Sequence, residues 1–292
     1  MLKQEDTSLS KKGTVISYYS KEEIECPVCA AKFNREEMYT GGGRLIAGDL
    51  TDELQRLYEP SAKYGEIQPL IYHLTVCPSC LYAAFTQDFR IIDSDTAGKL
   101  FGETANRKKA VKKILPSVDF TSARTLIEGA ASCYLALLCY DSFDTKYSPT
   151  IKEAICALRA AWLFKMLGKR FPEENYSYVS KLFYQKALFL YKYALALETS
   201  GKEMIAGLKS FGPDVDKNYR YDGVLYLVAL LEYRYGQKSD TEARAKQLSA
   251  SKITIAKLFG LGKSSKARPG PLLEYARALY DRIKEELHED DD

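Results

Sequence analysis

The stretch SARTLIEGAASCYLALLCYD, residues 122–141, decides the class of fold. Ala123, Ile127, Ala130, Tyr134, Leu137 and Leu138 recur at three- and four-residue intervals, so they share one helical face. The same period continues downstream. Ser148-Pro149 opens a helix in which Ile151, Ile155, Leu158 and Trp162 align, with Gly168 as a stop. Residues 172–198 place Tyr184, Leu188, Tyr191 and Leu195 in register. After a break at Gly212-Pro213, Val224–Tyr235 runs to Gly236, and Asp240 or Thr241 caps a helix reaching about residue 250. Gly270-Pro271 opens a last helix through Leu287. Six or seven helices joined by short turns are expected from residue 98 onward, with no strand pattern between them.

Such a series invites a search for repeated helix pairs. Ala154-Leu158-Ala161, Ala187-Tyr191-Ala194 and Ala243-Gln247-Ala250 fit the small–large–small spacing of a tetratricopeptide second helix. Positions 154 and 187 fall on adjacent helices, however, and cannot occupy one place in a two-helix repeat. A tetratricopeptide-like right-handed stack and an irregular helical bundle both remain open.

Upstream, residues 21–97 read differently. Ile71–Val76 alternates, with Tyr72, Leu74 and Val76 on one side and Ile71, His73 and Thr75 on the other, as a strand would. Thr51–Tyr58, with an acidic first turn and Leu54 and Leu57, reads as a short helix, and Leu81–Phe89 as the start of another. The chain therefore divides into a loose lead-in (1–20), a metal-binding module (21–97), a helical domain (98–285) and an acidic tail (286–292). The expected class is mainly α: a small zinc-ribbon-like α+β module followed by a tetratricopeptide-like array.

Cys26-Pro27-Val28-Cys29 and Cys77-Pro78-Ser79-Cys80 carry the chemistry. A two-residue gap lets both sulfurs of a tight turn face one ion while turn amides point at the thiolates. Two such turns supply the four ligands of a tetrahedral site. Proline presets the backbone angle of each turn. The 47 residues between the pairs exceed the usual spacing of about 15–20, so an insertion containing Gly41–Gly43 must loop out. Zn²⁺ is the expected ion. Iron would use the same ligands, and two redox dithiols are the competing reading, against which the duplication argues. A four-sulfur site leaves no open position for water or substrate, so the metal is expected to stabilise and not to catalyse. His73 lies four residues before Cys77, roughly 13 Å along a strand at about 3.3 Å per residue, and reads as a structural histidine. The remaining Cys133, Cys139 and Cys156 sit in apolar helical stretches as small hydrophobes.

Composition narrows the functions. Only two histidines, His73 and His288, are present, so no recognisable catalytic set forms and an enzyme is not expected. No uncharged apolar run exceeds eight residues, the length of Val224–Leu231, against about 20 for a membrane span. The polar N-terminus does not resemble a signal peptide, which points to a reducing cytoplasm. The formal net charge is +3. Residues 1–97 hold ten basic and fifteen acidic residues, a net of −5, leaving +8 for the rest. Arg107-Lys108-Lys109 with Lys112-Lys113 reads as the solvated basic face of a helix, and Lys252–Arg268 as a basic linker. Gly41-Gly42-Gly43-Arg44 reads as a flexible turn, since no Lys-Ser/Thr follows as in a phosphate-binding loop. Among 22 tyrosines, some must pack between helices, and exposed ones such as Tyr184 or Tyr191 would line a groove for a protein partner. The alternative is a nucleic-acid-binding ribbon, which the acidic balance of the module disfavours.

The run ECPVCAAKF (25–33), GGGRLIAGDL (41–50) and YHLTVCPSCLYAAFTQDF (72–89) resembles the bacterial domain of unknown function numbered twenty-two twenty-five. AWLFKMLGK (161–169) and YLVALLEYRYGQKSDTEARAKQLSA (226–250) are similar to its helical part. The resemblance implies metal binding by Cys26, Cys29, Cys77 and Cys80, with no established activity. Members usually carry glycine after each second cysteine, where the turn often needs a positive φ. Here those residues are Ala30 and Leu81, at a cost of about 1–2 kcal/mol each if the conformation is kept.

Overall fold

The structure, a computed structural model, describes residues 15–205, 207–259 and 270–288. Its mainly α architecture combines three two-stranded antiparallel sheets with eight α-helices among the described residues. β1 (Ser17–Glu25) pairs with β2 (Lys32–Met38), β3 (Ile46–Leu50) with β4 (Arg56–Glu59), and β5 (Leu74–Val76) with β6 (Ala83–Phe85). The helices are α1 (Ser94–Gly102), α2 (Thr104–Ile114), α3 (Leu126–Tyr140), α4 (Pro149–Arg170), α5 (Tyr176–Thr199), α6 (Arg220–Tyr235), α7 (Thr241–Phe259) and α8 (Gly270–Glu286).

The helical periods translate directly into burial. α3 starts on a capping box in which Glu128 Oε2 accepts from the Thr125 amide at 3.0 Å and from its hydroxyl at 2.7 Å. α4 buries 18 of its 22 residues, because α3 covers one side and α5 another. Alanine makes that possible: Ala154, Ala157, Ala160 and Ala161 of α4 and Ala187 and Ala194 of α5 are fully buried small residues. Gly168, expected as a stop, is instead a close-approach site, since a Cβ there would lie 2.4 Å from Ser177 Oγ; α4 continues to Arg170. Of the three small–large–small triplets, the two on α4 and α5 are buried, whereas Ala243, Gln247 and Ala250 are exposed. α7 runs on to Phe259, so residues 252–259 of the expected basic linker are helical instead; residues 260–269 lie outside the described ones, as do residues 1–14 and the acidic residues 289–292.

Three local expectations fail upstream. Thr51–Tyr58 is not a helix: Leu50 pairs with Arg56 and the chain turns between them. Leu81–Phe89 forms β6 and a turn. Ile71–Val76 splits into a 3-10 turn (Pro69–Ile71) and a short β5 whose three residues are all buried, because both faces are covered. Strands β1 to β4 were not expected at all.

The apolar core is continuous from the cysteines into the helices, with Leu70, Leu74, Tyr82 and Ala83 packed in one cluster with α3 and α4. Polar ties reinforce it. Arg124 donates to Leu74 O at 2.9 Å, and its amide reaches Glu36 Oε2 at 2.9 Å. Tyr140 donates to Asp88 at 2.6 Å and accepts from the Phe85 amide at 2.9 Å, while Lys152 pairs with Asp88 at 2.6 Å.

Candidate metal centre

Each Cys-Pro-x-Cys sequence closes a turn of the same shape. The amide of Ala30 donates to Cys26 O at 2.9 Å, and that of Leu81 to Cys77 O at 2.9 Å. A strand-like bond completes each turn: Cys26 N to Ala31 O, and Cys77 N to Tyr82 O, both 2.9 Å. Ala30 and Leu81 stand at φ 57° and 59°, in the left-handed region that glycine would occupy freely. The strain expected from the sequence is therefore present in both turns.

The fold brings all four cysteines together. Their sulfurs lie within 4.8 Å of one another, and no disulfide joins them. Cys26 Sγ is 3.7 Å from Cys80 Sγ, and Cys29 Sγ is 3.6 Å from Cys77 Sγ. A bonded pair would be about 2.05 Å apart. Four sulfurs each about 2.3 Å from a tetrahedral ion would be separated by about 3.8 Å. The nearest sulfurs thus have the spacing of ligands to one ion, and they meet across the two turns.

The electrostatics are those of crowded thiols. The hydrogen bond to Cys77 raises the Cys26 thiol above its ordinary range, while accepting from Cys26 and Cys80 lowers Cys77. Cys80 is raised, through its contacts with Cys26 and Cys77 and then by burial. The amides of Val28 and Cys29 favour the thiolate of Cys26, and those of Ser79 and Cys80 the thiolate of Cys77. A cation would relieve this crowding by allowing all four sulfurs to ionise at once.

Arg107 completes the surroundings and was not read from the sequence. Within the run Arg107-Lys108-Lys109 it belongs to a face that looked solvated, yet it is buried. Its guanidinium donates to Cys80 O at 2.8 Å, Leu81 O at 3.1 Å and Leu100 O at 3.0 Å, clamping the second turn to α1 and α2. It also places a positive charge against the backbone of the second cysteine turn. No sequence signal distinguishes it from its neighbours beyond its place on the apolar side of α2, one turn before the buried Val111. His73 is separate from the centre. Its Nδ1 bonds Leu70 O at 2.6 Å, and burial holds its pKa well below the usual value, so it is the neutral structural residue the spacing suggested.

A second junction ties the insertion between the cysteine pairs to the helices. At the tip of the β3–β4 turn, Leu54 has φ 60° and is fully buried. Glu53 beside it receives Trp162 Nε1 at 2.5 Å, Tyr184 OH at 2.7 Å and Arg234 at 2.7 Å. Asp52 pairs with Arg234 at 2.5 Å, and its carbonyl accepts from Tyr226 OH at 2.7 Å. Tyr184 and Tyr191, the tyrosines offered as groove candidates, are both buried: the first is stacked on Tyr235 at 4.3 Å and bonded to Glu53, the second lies in the core. Exposed aromatic residues occur elsewhere on α5, at Tyr178, Phe189 and Tyr193. Among the described residues, no helix is long and apolar enough to cross a membrane.

Residues 19–283 match the model of a family described as an uncharacterized protein conserved in bacteria (DUF2225). A relative from Borreliella burgdorferi, described as an uncharacterized protein, is 46% identical over 272 residues, covering 93% of this chain and 98% of that protein. No solved structure matches.

Proposed function

The chain belongs to this conserved bacterial family, and from that premise we propose that it is a non-enzymatic cytoplasmic scaffold. In this reading Cys26, Cys29, Cys77 and Cys80 hold one structural Zn²⁺ in a zinc-ribbon-like module, and a tetratricopeptide-like array binds a protein partner. The observation that carries the metal reading is the cluster of four sulfurs with cross-turn contacts of 3.6 and 3.7 Å. Two independent dithiols would need no contact between the turns; here Cys26 meets Cys80 and Cys29 meets Cys77 across them. Four protein ligands fill a tetrahedral shell, which suits a stabilising role.

Partner binding draws support from α5. Tyr178, Leu182, Phe189 and Tyr193 are spaced by four, seven and four residues, so they form one stripe, and all four are exposed. The nucleic-acid alternative is weaker, because residues 1–97, which contain the four clustered cysteines, carry a net of −5.

Elemental analysis of protein purified without oxygen tests the metal. The expected result is about one zinc per chain, lost by either Cys29→Ser or Cys77→Ser because each turn supplies half the shell. Iron in its place would change the ion but keep the site. Protein with no bound metal would contradict the reading.

A further inference from the structure

Helices α5 and α6 and the start of α7 enclose an open groove of about 1200 Å³. Leu188 and Ala196 contribute to its apolar lining. Phe189 and Tyr193, 58% and 48% exposed, stack at 5.9 Å along one side. The charges are one-sided. Lys181, Lys192, Arg234, Lys238 and Arg244 line the groove against a single acid, Glu232. Several of these are already engaged. Lys192 pairs with the buried Glu232 at 3.1 Å, Arg234 with Asp52 and Glu53, and Arg244 with Glu286 at 2.9 Å. Lys181 and Lys238 have no ion-pair partner among the described residues, so the surplus positive charge of the groove rests on them.

The neighbouring junction shows what this surface holds. Arg234 and Tyr235 line the groove, and the same two residues hold the acidic Asp52-Glu53 turn, Arg234 by ion pairs and Tyr235 through its stack on Tyr184. The groove continues an interface that already binds an acidic segment of chain between an arginine and aromatic rings. Charge and continuity agree on the chemistry of an occupant. We infer that the groove is the docking site for an acidic peptide segment of a partner protein. An apolar side chain of that segment rests on Phe189 and Tyr193, and its carboxylates face Lys181 and Lys238. This rests on the scaffold reading and gives it a location and a partner chemistry; Phe189 and Tyr193, the C-terminal half of the α5 stripe, are then one wall of the site.

Fluorescence anisotropy with the full chain tests it. The probe is a fluorescein-labelled dodecapeptide of glutamate and aspartate with two phenylalanines; the control has lysine at every acidic position. The acidic probe should bind and the control should not. Binding should weaken about tenfold or more in the double variant Lys181→Glu/Lys238→Glu, and weaken with added salt. Phe189→Ala/Tyr193→Ala should also weaken it. All four side chains are exposed, so melting temperatures should stay unchanged and a loss of binding cannot be a loss of fold. Equal binding of the two peptides, or indifference to the charge reversal, overturns the inference. So does a single-stranded oligonucleotide that binds at these lysines more tightly than the acidic peptide. If the full chain captures a protein partner and the charge reversal leaves that capture intact, the scaffold reading stands and this placement fails. Absence of metal would sink the zinc reading without altering the peptide measurement.

Discussion

Helix α4 and strand β1 are held in opposite ways. α4 buries 18 of 22 residues among alanines, leucines and aromatic rings, and would lose little definition if any one polar contact were removed. β1, nine residues long, buries none of them completely. It pairs with β2 alone, and that ribbon joins the helices mainly through the cysteine turn between its strands and contacts such as Arg124 N to Glu36. Apolar area stabilises the first region by many small contributions, whereas the second depends on a few joints. Substitutions at the joints should therefore act locally on the strands they hold, whereas truncations in the helical core should lower the stability of the whole fold.

Metal removal is the largest expected effect. Binding of a structural zinc is worth about 10–16 kcal/mol in small zinc peptides, so a chelator or Cys77→Ser should release most of the order in β1, β2 and the two cysteine turns. Circular dichroism should show helix content largely kept.

The Glu53 junction comes next. Glu53→Ala would leave Trp162 Nε1, Tyr184 OH and Arg234 without their shared acceptor in a buried place. A loss of about 3–5 kcal/mol in unfolding free energy is expected by chemical denaturation, with a smaller loss for Glu53→Gln, which keeps an acceptor oxygen. A loss below about 1 kcal/mol would mean that the turn is merely resting on the helices.

The helices have one polar weakness of their own. Burial and then the nearby Asp141 push Glu153 of α4 up to about 8 from an ordinary value near 4.5. A carboxyl raised in the folded state contributes stability below its unfolded value and loses it as pH rises through its folded value. Stability should fall between about pH 5 and 8 by up to about 4 kcal/mol. Glu153→Gln should flatten that decline in melts run across this range.

The smallest effect separates the two cysteine turns. Ala30→Gly should relieve the positive φ and gain up to about 1 kcal/mol, since Ala30 is exposed. Leu81→Gly relieves the same strain but removes a buried side chain, so a net loss is expected despite matching backbone geometry.

The same contrast explains what could be read from the chain beforehand. Helices α3 to α8 are legible in apolar spacing because their burial is distributed over many positions, and a pattern survives a few exceptions. The cysteine quartet was legible because the chemistry demands four like ligands at fixed short gaps. The 51–58 segment misled: Asp52, Glu53, Leu54 and Leu57 have the spacing of a helix start, and nothing local reveals that Trp162, Tyr184 and Arg234 wait for Glu53 from more than 100 residues away. Arg107 hid in a basic run for a similar reason, as its partners are the carbonyls of Cys80 and Leu81. Tyr184 and Tyr191 share a face, as their spacing required, but only the packed structure shows that the face is dry.

Hydrogen exchange on the full chain, with metal bound and after chelation, tests most directly whether the strand region is held by its joints and the helices by their own core. The account predicts that chelation deprotects β1, β2 and the amides of both cysteine turns, including Ala30 and Leu81, while α4 and α5 keep their protection. Unchanged protection around the cysteines would contradict it, and so would a collapse of α4 and α5 together with the strands.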